Sequence, residues 1–413
     1  MVTIRPIPRA LVPVDASAAQ QISAPNYDEF QSDREIWDII QARPHCVLTI
    51  TMSHCDDPNF DTILEDGSPE ALDRSLVNMN KLVDSPLTHV VDNALFVYEV
   101  VSPKRPDVRQ IGLGGCARTS EIRTDATPDG TIVRNEGIRQ EKADGRARLI
   151  AKTSAYIGNV NCAVQDKTGQ MLQSLERVAD SRDSDFAATD EAGNVHRVWL
   201  VTDAPTQQEL TSLLAAEPAA YVADGNHRSA AAAALKKEDF LCVFFPTARL
   251  RLEPYNRLVE DVGVSADELL EKLGANFTIE TVGDQPAYRP SQIHEIGLYL
   301  PGTWYKLTPK AGTFDPENAA ESIDSDILQR HFLDAALGIA DARDKRINFV
   351  GGNKDSAWLR QQVDAGDYAL AISVAPVTME QFIAVCEQNR FMPPKSTWFD
   401  PKIRSGMVMS LLD

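Results

Sequence analysis

The apolar segment at residues 219–223 runs directly into Asp224 and Gly225, and an alanine-rich stretch follows as far as Leu235. The apolar segment predicts a buried strand, because it is short and ends at an Asp-Gly turn signal. The alanine run predicts a helix, since alanine has the highest helix propensity and no glycine or proline interrupts the run. The chain is therefore expected to turn from a strand into a helix at Asp224–Arg228.

This strand-to-helix turn is also a predicted anion site. The first N–H groups of a helix have no partner within the helix, so they favour a bound anion. His227 and Arg228 add donors at the same point, and an arginine can grip a phosphate through two hydrogen bonds. Arg228 is accordingly expected to be exposed in the empty site. The residues alone leave a plainer interpretation open: Asp224 caps the helix, Gly225 makes the turn and Arg228 is a solvated charge.

The stretch from Tyr221 to Arg228 resembles the Ile-Ala-Asp-Gly-His-His-Arg signature of a widespread bacterial and archaeal family, catalogued as domain of unknown function ten-fifteen. That signature is similar to the phosphate-gripping motif of the ParB/sulfiredoxin-like fold, to which a free-serine kinase also belongs. Some members of the family have themselves been proposed as serine kinases. The resemblance implies that five consecutive residues bind the phosphates of a nucleotide: Asp224, Gly225, Asn226, His227 and Arg228.

Two earlier stretches carry the same resemblance. Residues 23–28 are similar to an Ala-Pro-Pro-Tyr-Asp element of the family, with Asn26 in place of the second proline, although alone they indicate only a structural loop. Residues 134–150 resemble a His-Glu-x-Thr-Arg element followed by Asp-Arg-Leu. Glu136, Arg139 and Arg146 stand where the family has its glutamate and arginines. Asn135, Ile138 and Gly145 depart from the pattern, so the substrate is expected to differ or the activity to be lost.

Three later segments complete the resemblance. His196 lies in a segment similar to the family's His-Arg-Leu-Trp, and Arg257 in one similar to Pro-Thr-His-Arg-Leu, with Asn256 replacing that histidine. The resemblance implies that Arg139, Arg146, His196 and Arg257 contact substrate or phosphate, while a strand histidine can equally be a packed, hydrogen-bonded one. The end of the chain matches Met-Pro-Pro-Lys-Ser-Thr-x-Phe-x-Pro-Lys. Its Lys395, Ser396 and Thr397 are candidate phosphate contacts, with a rigid proline-rich strap as the alternative.

The remaining patterns predict a mixed fold. Residues 46–52 are a β-rich run, 94–101 and 110–118 indicate paired strands, and 321–337 has the apolar spacing of an amphipathic helix. Residues 346–388 alternate strand, helix, strand and helix, which indicates a small α/β lobe. The expected class is α/β (mixed α+β). The resemblance implies a ParB/sulfiredoxin-like core, which we expect within residues 1–262, followed by a C-terminal α/β lobe at 263–413.

Composition limits the partners. With 413 residues and a formal charge of −19, the chain is long enough for two or three domains and repels nucleic acid. No apolar run is long enough for a membrane span, and the N-terminus lacks a signal peptide, so a cytoplasmic location is expected. The six cysteines form no Cys-x-x-Cys pair, which favours reduced, structural thiols over a zinc site. The oligomeric state stays open, with a homodimer as one option.

The function expected from the resemblance is a nucleotide- and Mg²⁺-dependent kinase that phosphorylates the hydroxyl of a small, serine-like amino acid or related metabolite. Glu136 and His227 are the predicted catalytic residues, with Glu136 accepting the hydroxyl proton. ATP or ADP is the expected donor, and the metal ligands are left unassigned. The chain has no Gly-x-x-x-x-Gly-Lys-Ser/Thr motif, so a P-loop kinase is excluded. The alternative is a non-catalytic nucleotide-binding switch of ParB-like fold, which needs no base at Glu136.

Overall fold

The computed structural model describes residues 1–26, 30, 32–352 and 354–412. It contains two compact units. Unit 1 comprises Met1–Arg134, Ile138–Leu250 and Pro401–Asp413, and unit 2 comprises Asn135–Gly137 and Arg251–Asp400. The end of the chain belongs to unit 1 because Met409–Leu411 pairs with strands of that unit, so the units do not follow the expected division of the chain at residue 262.

Unit 1 is built on a twelve-stranded mixed sheet. Its strands are β1 (Ile4–Arg5), β2 (Ile7–Pro13), β3 (Thr88–Ser102), β4 (Arg105–Arg118), β5 (Ile132–Arg134), β6 (Ala155–Tyr156), β7 (Val160–Val164), β8 (Phe186–Thr189), β9 (Val195–Val201), β10 (Ala220–Asp224), β11 (Asp239–Pro246) and β20 (Met409–Leu411). The main order is β5-β10-β7-β11-β4-β3-β2-β20-β6. β10 is parallel to β5 and antiparallel to β7, so Asp224 reaches the edge where β7 begins, opposite Asn161.

The helices of unit 1 cover this sheet and a smaller cluster beside it. They are α1 (Ala16–Ile22), α2 (Asp33–Ala42), α3 (Leu48–Thr51), α4 (Pro69–Val83), α5 (Gln140–Thr153), α6 (Gln170–Asp180), α7 (Ala204–Ala215) and α8 (Asn226–Leu235). α4 illustrates how local sequence starts a helix: Ser68 accepts a hydrogen bond from the N–H of Ala71, and Pro69 occupies the first turn. α5 packs against α8. The predicted strand and helix on either side of Asp224 are thus confirmed.

Unit 2 contains a six-stranded sheet in the order β14-β16-β15-β18-β13-β17 and a two-stranded one, β12-β19. Its elements are β12 (Leu252–Glu253), β13 (Tyr255–Val259), α9 (Ala266–Leu273), β14 (Phe277–Gly283), β15 (Ile296–Leu300), β16 (Thr303–Pro309), α10 (Asp324–Leu328), α11 (Ala335–Leu337), β17 (Ile347–Gly351), α12 (Ser356–Asp364), β18 (Leu370–Val374), α13 (Met379–Glu387) and β19 (Trp398–Phe399). A π-helical turn, Gln329–Asp334, joins α10 to α11. The predicted alternation of β17, α12, β18 and α13 is confirmed, and β13 lies between β17 and β18, antiparallel to both.

One predicted strand is wrong. Within residues 46–52, Leu48–Thr51 forms a short helix, α3, where a β-rich run is predicted. The N–H groups of Thr49 and Ile50 bond back to the carbonyls of Cys46 and Val47, which lie three residues earlier. Leu48, Ile50 and Met52 alternate with Thr49 and Thr51, which is a strand pattern. The helix forms nevertheless, because nearly the whole segment is buried and the two threonine hydroxyls bond back to the carbonyls of Cys46 and Val47.

No helix in the described part of the chain combines the length and the apolar character that a membrane crossing requires. All six cysteines are free and buried.

Candidate functional site

The turn between β10 and α8, which we call the Asp-Gly corner (Asp224–Arg228), needs glycine at its second position. Gly225 has a φ of +98°, a conformation that side chains with a Cβ rarely adopt. A Cβ there would also lie 3.0 Å from Nε of Arg228. Gly225 precedes α8 directly and supplies no side-chain cap, so the first turn of a ten-residue helix presents its backbone N–H groups and partial positive charge at this corner.

Arg228 differs from its expected exposure. Its side chain is only 7% exposed, and its guanidinium bonds Oδ2 of Asp224 at 2.6 Å, Oδ1 of Asn26 at 3.1 Å and the carbonyl of Asn159. The arginine therefore links three segments of unit 1 rather than standing as an open phosphate grip. This ion pair and these two hydrogen bonds stabilise the arginine, because burying a guanidinium is costly unless its donors are satisfied.

Asn26, the residue that replaces a family proline, is the acceptor at the centre of these contacts. Its Oδ1 accepts from Nη1 of Arg228 and, at 2.7 Å, from the hydroxyl of Ser405. Its Nδ2 donates to the carbonyl of Ile403 at 3.1 Å. The early loop, the Asp-Gly corner and the end of the chain thus meet at one buried amide. Tyr27 and Asp28, which end that early motif, lie outside the described residues.

Asp224 carries the negative charge of the corner. Lys402 contacts its Oδ1 at 3.0 Å, and Arg228 contacts its Oδ2. Burial by itself raises the pKa of Asp224, but the charges and hydrogen bonds of Lys402 and Arg228 outweigh it and hold the pKa well below its usual range. Asp224 is therefore ionised at neutral pH, and two cations against one carboxylate leave a net positive charge next to the start of α8.

Two asparagines near the corner are buried with unsatisfied polar atoms. Asn159 is 1% exposed, and neither Oδ1 nor Nδ2 of its side chain has a hydrogen-bond partner in the described part of the chain. Asn161, which pairs with Asp224 across the strands, has an Oδ1 that likewise finds no hydrogen-bond partner among the described residues. Buried polar groups are nearly always satisfied in native proteins, so such atoms mark a place where water, an ion or a ligand binds.

His227 and Arg139 come together at the backbone. Nε2 of His227 lies 3.0 Å from the backbone N–H of Arg139, the residue that precedes α5. His227 therefore accepts this hydrogen bond through Nε2 and carries its proton on Nδ1, a tautomer that the geometry requires. The Arg139 side chain is exposed. Two of the predicted site residues are in this way neighbours of the Asp-Gly corner.

Arg146 lies between two pockets of unit 1. It lines a small pocket of about 40 Å³ together with Arg228, Tyr156, Gly158 and Ser405, and with apolar side chains. The Tyr156 hydroxyl is buried and has no hydrogen-bond partner among the described residues. At this size the pocket holds only a few water molecules.

The second pocket is larger, at about 390 Å³, which is within the range of small-molecule sites. Three cationic residues of α5 line it, Lys142, Arg146 and Arg148, with Glu141 and Asp66 also in its wall. Nη1 of Arg146 donates to the carbonyl of Thr51 at 3.3 Å, which holds the side chain in place. The arrangement suits a ligand that carries several negative charges.

His196 is a packed core histidine. It is completely buried, with Nδ1 3.0 Å from the Tyr98 hydroxyl and Nε2 3.3 Å from the carboxylate of Asp190. Burial lowers its pKa although the bond to Asp190 opposes the shift. The predicted substrate contact is thus corrected in favour of the packed, hydrogen-bonded alternative, because no part of the ring reaches solvent.

The remaining predicted residues lie in unit 2, where two motifs meet. The N–H of Met392 donates to the carbonyl of Asn135 at 2.9 Å, and Glu136 forms an isolated β-bridge with Met392. Nδ2 of Asn135 lies 3.4 Å from the Thr397 hydroxyl. The segment with the predicted base, Glu136, is thereby held beside the part of the proline-rich motif that contains Met392 and Thr397.

Ser396 and Lys395 have contacts typical of the strap alternative. The Ser396 hydroxyl donates to the carbonyl of Pro393 at 2.6 Å and contacts the Ser325 hydroxyl at 2.8 Å, and the side chain is buried. Lys395 has a φ of +61°, and its Nζ lies 5.3 Å from the centre of the Tyr255 ring. The left-handed backbone conformation of Lys395 is strained, and the contacts of Ser396 and Lys395 stabilise the turn that requires it.

Arg257 is a buried cation that contacts backbone carbonyls and an aromatic ring. Its side chain donates to the carbonyls of Tyr255 and Lys395 and packs 5.2 Å from the centre of the Phe349 ring. No carboxylate pairs with it among the described residues, and its Nε has no hydrogen-bond partner there. Burial lowers its pKa to about 10. A bound anion would stabilise this guanidinium, which stays charged at neutral pH.

Sequence reasoning missed four residues of these sites. Lys402 is the last residue of the Met-Pro-Pro-Lys-Ser-Thr-x-Phe-x-Pro-Lys motif, so the sequence carried a signal for it. Asn159 and Asn161 interrupt an apolar strand with amides, a pattern that marks buried polar groups. Tyr156 carried no signal, because only the tertiary structure places it in the wall of the small pocket.

The model of the family described as protein of unknown function (DUF1015) matches residues 4–335 of this chain. The chain belongs to this family. The resemblance in its motifs is thereby confirmed as membership of DUF1015. No curated protein matches the chain.

Solved structures show only a weak likeness to this DUF1015 chain. A variant of free serine kinase in complex with AMP shares 11% identity, covers 65% of this chain and 83% of its own, and gives a TM-score of 0.37. SbnI with a C-terminal truncation, from Staphylococcus aureus, shares 8% identity over 70% and 82%, with a TM-score of 0.37. A conserved hypothetical protein from Pyrococcus furiosus shares 12% over 67% and 90%, with a TM-score of 0.36. At such scores the likeness does not decide the core topology.

Proposed function

We propose that this DUF1015 protein is a nucleotide-dependent phosphotransferase that acts on the hydroxyl of a small amino acid or related metabolite. The observation that carries the proposal is that Arg146 and Arg228, from two separate motifs of the family, line one pocket beside the Asp-Gly corner. The acceptor class follows from the resemblance of the motifs to a family with proposed serine kinases. The ParB/sulfiredoxin-like core is part of the same proposal.

The charges of unit 1 support phosphate binding. The start of α8 and the cations Arg228 and Lys402 outweigh the one carboxylate of Asp224, so the corner favours an anion. Arg146 and Arg148 extend the positive charge along α5 into the larger pocket. We assign the phosphates of ATP or ADP to these cations and to the start of α8. Gly225, Asn226 and His227 would contribute backbone or ring groups at the Asp-Gly corner.

The residues present also suit Mg²⁺, which is a hard cation and prefers oxygen ligands. The unsatisfied Oδ1 atoms of Asn159 and Asn161 are the groups that would hold it, since both oxygens of Asp224 already contact Lys402 and Arg228. Bound with the nucleotide, Mg²⁺ would neutralise charge on the phosphate oxygens.

The transfer itself needs a base for the acceptor hydroxyl, and we assign this role to Glu136. The hydroxyl oxygen bonds to the terminal phosphorus of the nucleotide, the bond from that phosphorus to the leaving phosphate oxygen breaks, and the hydroxyl proton passes to the Glu136 carboxylate. ATP then leaves as ADP, or ADP as AMP. Arg257, buried without an acidic partner in the described chain, is assigned to an anionic group of the substrate. Arg139 and the Lys395–Thr397 segment are assigned supporting contacts.

Nucleotide binding is tested first by thermal unfolding with ATP, ADP, AMP and pyrophosphate, each with and without Mg²⁺. A bound nucleotide raises the melting temperature by mass action. Arg146→Ala is expected to abolish the rise, while the control Arg177→Ala, an exposed arginine of α6, retains it. An absence of any rise, with every nucleotide, contradicts the proposal and the switch alternative together.

Catalysis is then separated from binding by Glu136→Gln, which keeps the shape of the side chain and removes its basicity. Turnover is measured as nucleotide consumption over a panel of hydroxy amino acids, and nucleotide affinity on the same preparation. We expect turnover to fall about 10²–10⁴-fold and affinity to change less than about tenfold. Glu271→Gln, at an exposed position of α9 in the same unit, should match the wild type. Nucleotide binding without turnover in the wild type would support the switch instead.

A further inference from the structure

A second polar cluster in unit 1 lies outside the motifs of the family. Asp33 is the first residue of α2, and His54 and Cys55 belong to a short 3-10 turn at Ser53–Cys55. A carboxylate oxygen, a ring nitrogen and the sulfur of these three residues all lie within 4.8 Å of one another. They join three different kinds of metal ligand at one point, although Asp33 lies 21 residues before His54 in the sequence.

The spacing of the cluster fits a tetrahedral metal ion. Nε2 of His54 lies 3.3 Å from Oδ1 of Asp33. A zinc ion bonds nitrogen and oxygen ligands at about 2.0–2.2 Å, so two such ligands in a tetrahedron are about 3.3 Å apart. Sulfur bonds zinc at about 2.3 Å, so Cys55 would lie slightly farther from the other two ligand atoms. The three atoms lie within 4.8 Å of one another, so side-chain rotation must draw them closer to reach one ion.

His54 supplies an independent indication of a ligand. Its side chain is 2% exposed, and its Nδ1 has no hydrogen-bond partner in the described part of the chain. The nearest carboxylate oxygen to Nδ1 is Oδ1 of Asp66 at 3.5 Å. When Nε2 of a histidine binds a metal, Nδ1 carries the proton and donates it to a nearby carboxylate, which fixes the orientation of the ring. Asp66 is placed for that role.

The surroundings leave the cluster open to a cation. The side chains of Asp33 and Asp66 are 53% and 66% exposed, so an ion can enter from solvent. Two basic side chains of the neighbouring elements are engaged elsewhere: Arg34 pairs with Asp38, and Arg74 bonds the carbonyls of Ser53 and Asp56. Arg148 lines the larger pocket together with Asp66. Within the described ranges the ion pairs of Asp33 and Asp66 are those with His54.

We propose that Asp33, His54 and Cys55 bind Zn²⁺, with Asp66 orienting the histidine and one coordination position left for water. Zinc is favoured because a thiolate, an imidazole and a carboxylate together select a borderline-soft ion over Mg²⁺ or Ca²⁺. The sequence had argued against a zinc site because no two cysteines are closely spaced. Folding brings one cysteine to ligands of other types instead.

The main rival is an ion-pair triad in which His54 lies between two carboxylates with no metal. The two differ at Cys55, which a triad does not use. Cobalt substitution reports this directly, since Co²⁺ held by a thiolate shows a near-ultraviolet charge-transfer band together with visible bands of tetrahedral cobalt.

The experiment titrates the full-length protein with Zn²⁺ against a chromophoric chelator and, separately, with Co²⁺. The wild type is expected to bind one equivalent of each, with the thiolate band present for cobalt. Cys55→Ser should remove that band, and Asp33→Asn should weaken zinc binding at least tenfold. Asp66→Asn should weaken it about 10–100-fold, as found for carboxylates that orient a metal-bound histidine. Asp38→Asn, on the exposed side of the same helix, should bind as the wild type does.

Two outcomes overturn the proposal. One is a wild type that binds neither ion at equimolar concentration. The other is a thiolate band that survives in Cys55→Ser but is lost in Cys46→Ser, since Cys46 is another buried thiol of the same apolar cluster. Neither readout depends on phosphotransfer, so the test is independent of the proposed function.

Discussion

Replacing Arg228 by methionine tests whether this residue holds unit 1 together. Methionine fills a similar length of buried space and removes the guanidinium. Asp224 then keeps Lys402 as its only cation among the contacts described above, and the oxygens of Asn26 and Asn159 lose a charged donor. An exposed phosphate grip, as the sequence predicts, could be replaced with almost no effect on stability.

The size of the effect follows from these contacts. Removing one partner of a buried ion pair costs about 3–5 kcal/mol. Lys402 still neutralises part of the Asp224 charge, so we expect about 2–4 kcal/mol for Arg228→Met. In a unit of this size that corresponds to a fall in melting temperature of about 5–10 °C.

Thermal and urea unfolding of Arg228→Met and of a matched surface variant measure this cost. Arg118→Met breaks an ion pair with the exposed Glu238 and should change stability by less than about 1 kcal/mol. The pKa of Asp224 is lowered by folding, so its contribution is present above about pH 4 and is lost as the pH falls further. The gap between Arg228→Met and the wild type should therefore narrow in acid. Equal stability of the two variants at pH 7 would refute the structural role of Arg228.

Two further substitutions test buried groups. Arg257→Met should leave the free energy of unfolding within about 1 kcal/mol of the wild type or raise it, because an apolar side chain replaces a buried charge that has no acidic partner in the described chain. If pyrophosphate binds at unit 2, the variant should also lose the resulting rise in melting temperature. A loss of more than about 3 kcal/mol of stability would instead show that Arg257 is a structural cation. Burial lowers the pKa of His196, so the folded protein should lose stability as the pH falls below about 6.5, where His196 of the unfolded chain takes up a proton. His196→Gln should reduce this dependence of stability on pH between pH 7 and 5. An unchanged dependence in the variant would contradict the prediction.

The sequence by itself determined the local elements whose signals are short-range. The alanine run and Asp-Gly turn specify β10 and α8, since propensity and a glycine at φ +98° are local requirements. The Ser68-Pro69 start of α4 is equally local. The motifs also determined membership of the family. Residues 46–52 were mispredicted because their strand-like alternation and β-branched residues are overridden by tertiary packing, which buries both faces of the segment.

Tertiary structure alone decided how the functional side chains are used. Whether Arg228 is open to solvent or bonded to Asn26 and Asn159 depends on partners about 200 and 70 residues away, which no local pattern encodes. The same holds for His196, whose burial is set by neighbouring strands. Asp33 and His54 come within 3.3 Å only because α2 and the turn at Ser53–Cys55 pack together. Charge and burial act through space, so their consequences for pKa and binding follow from the fold and not from the order of residues.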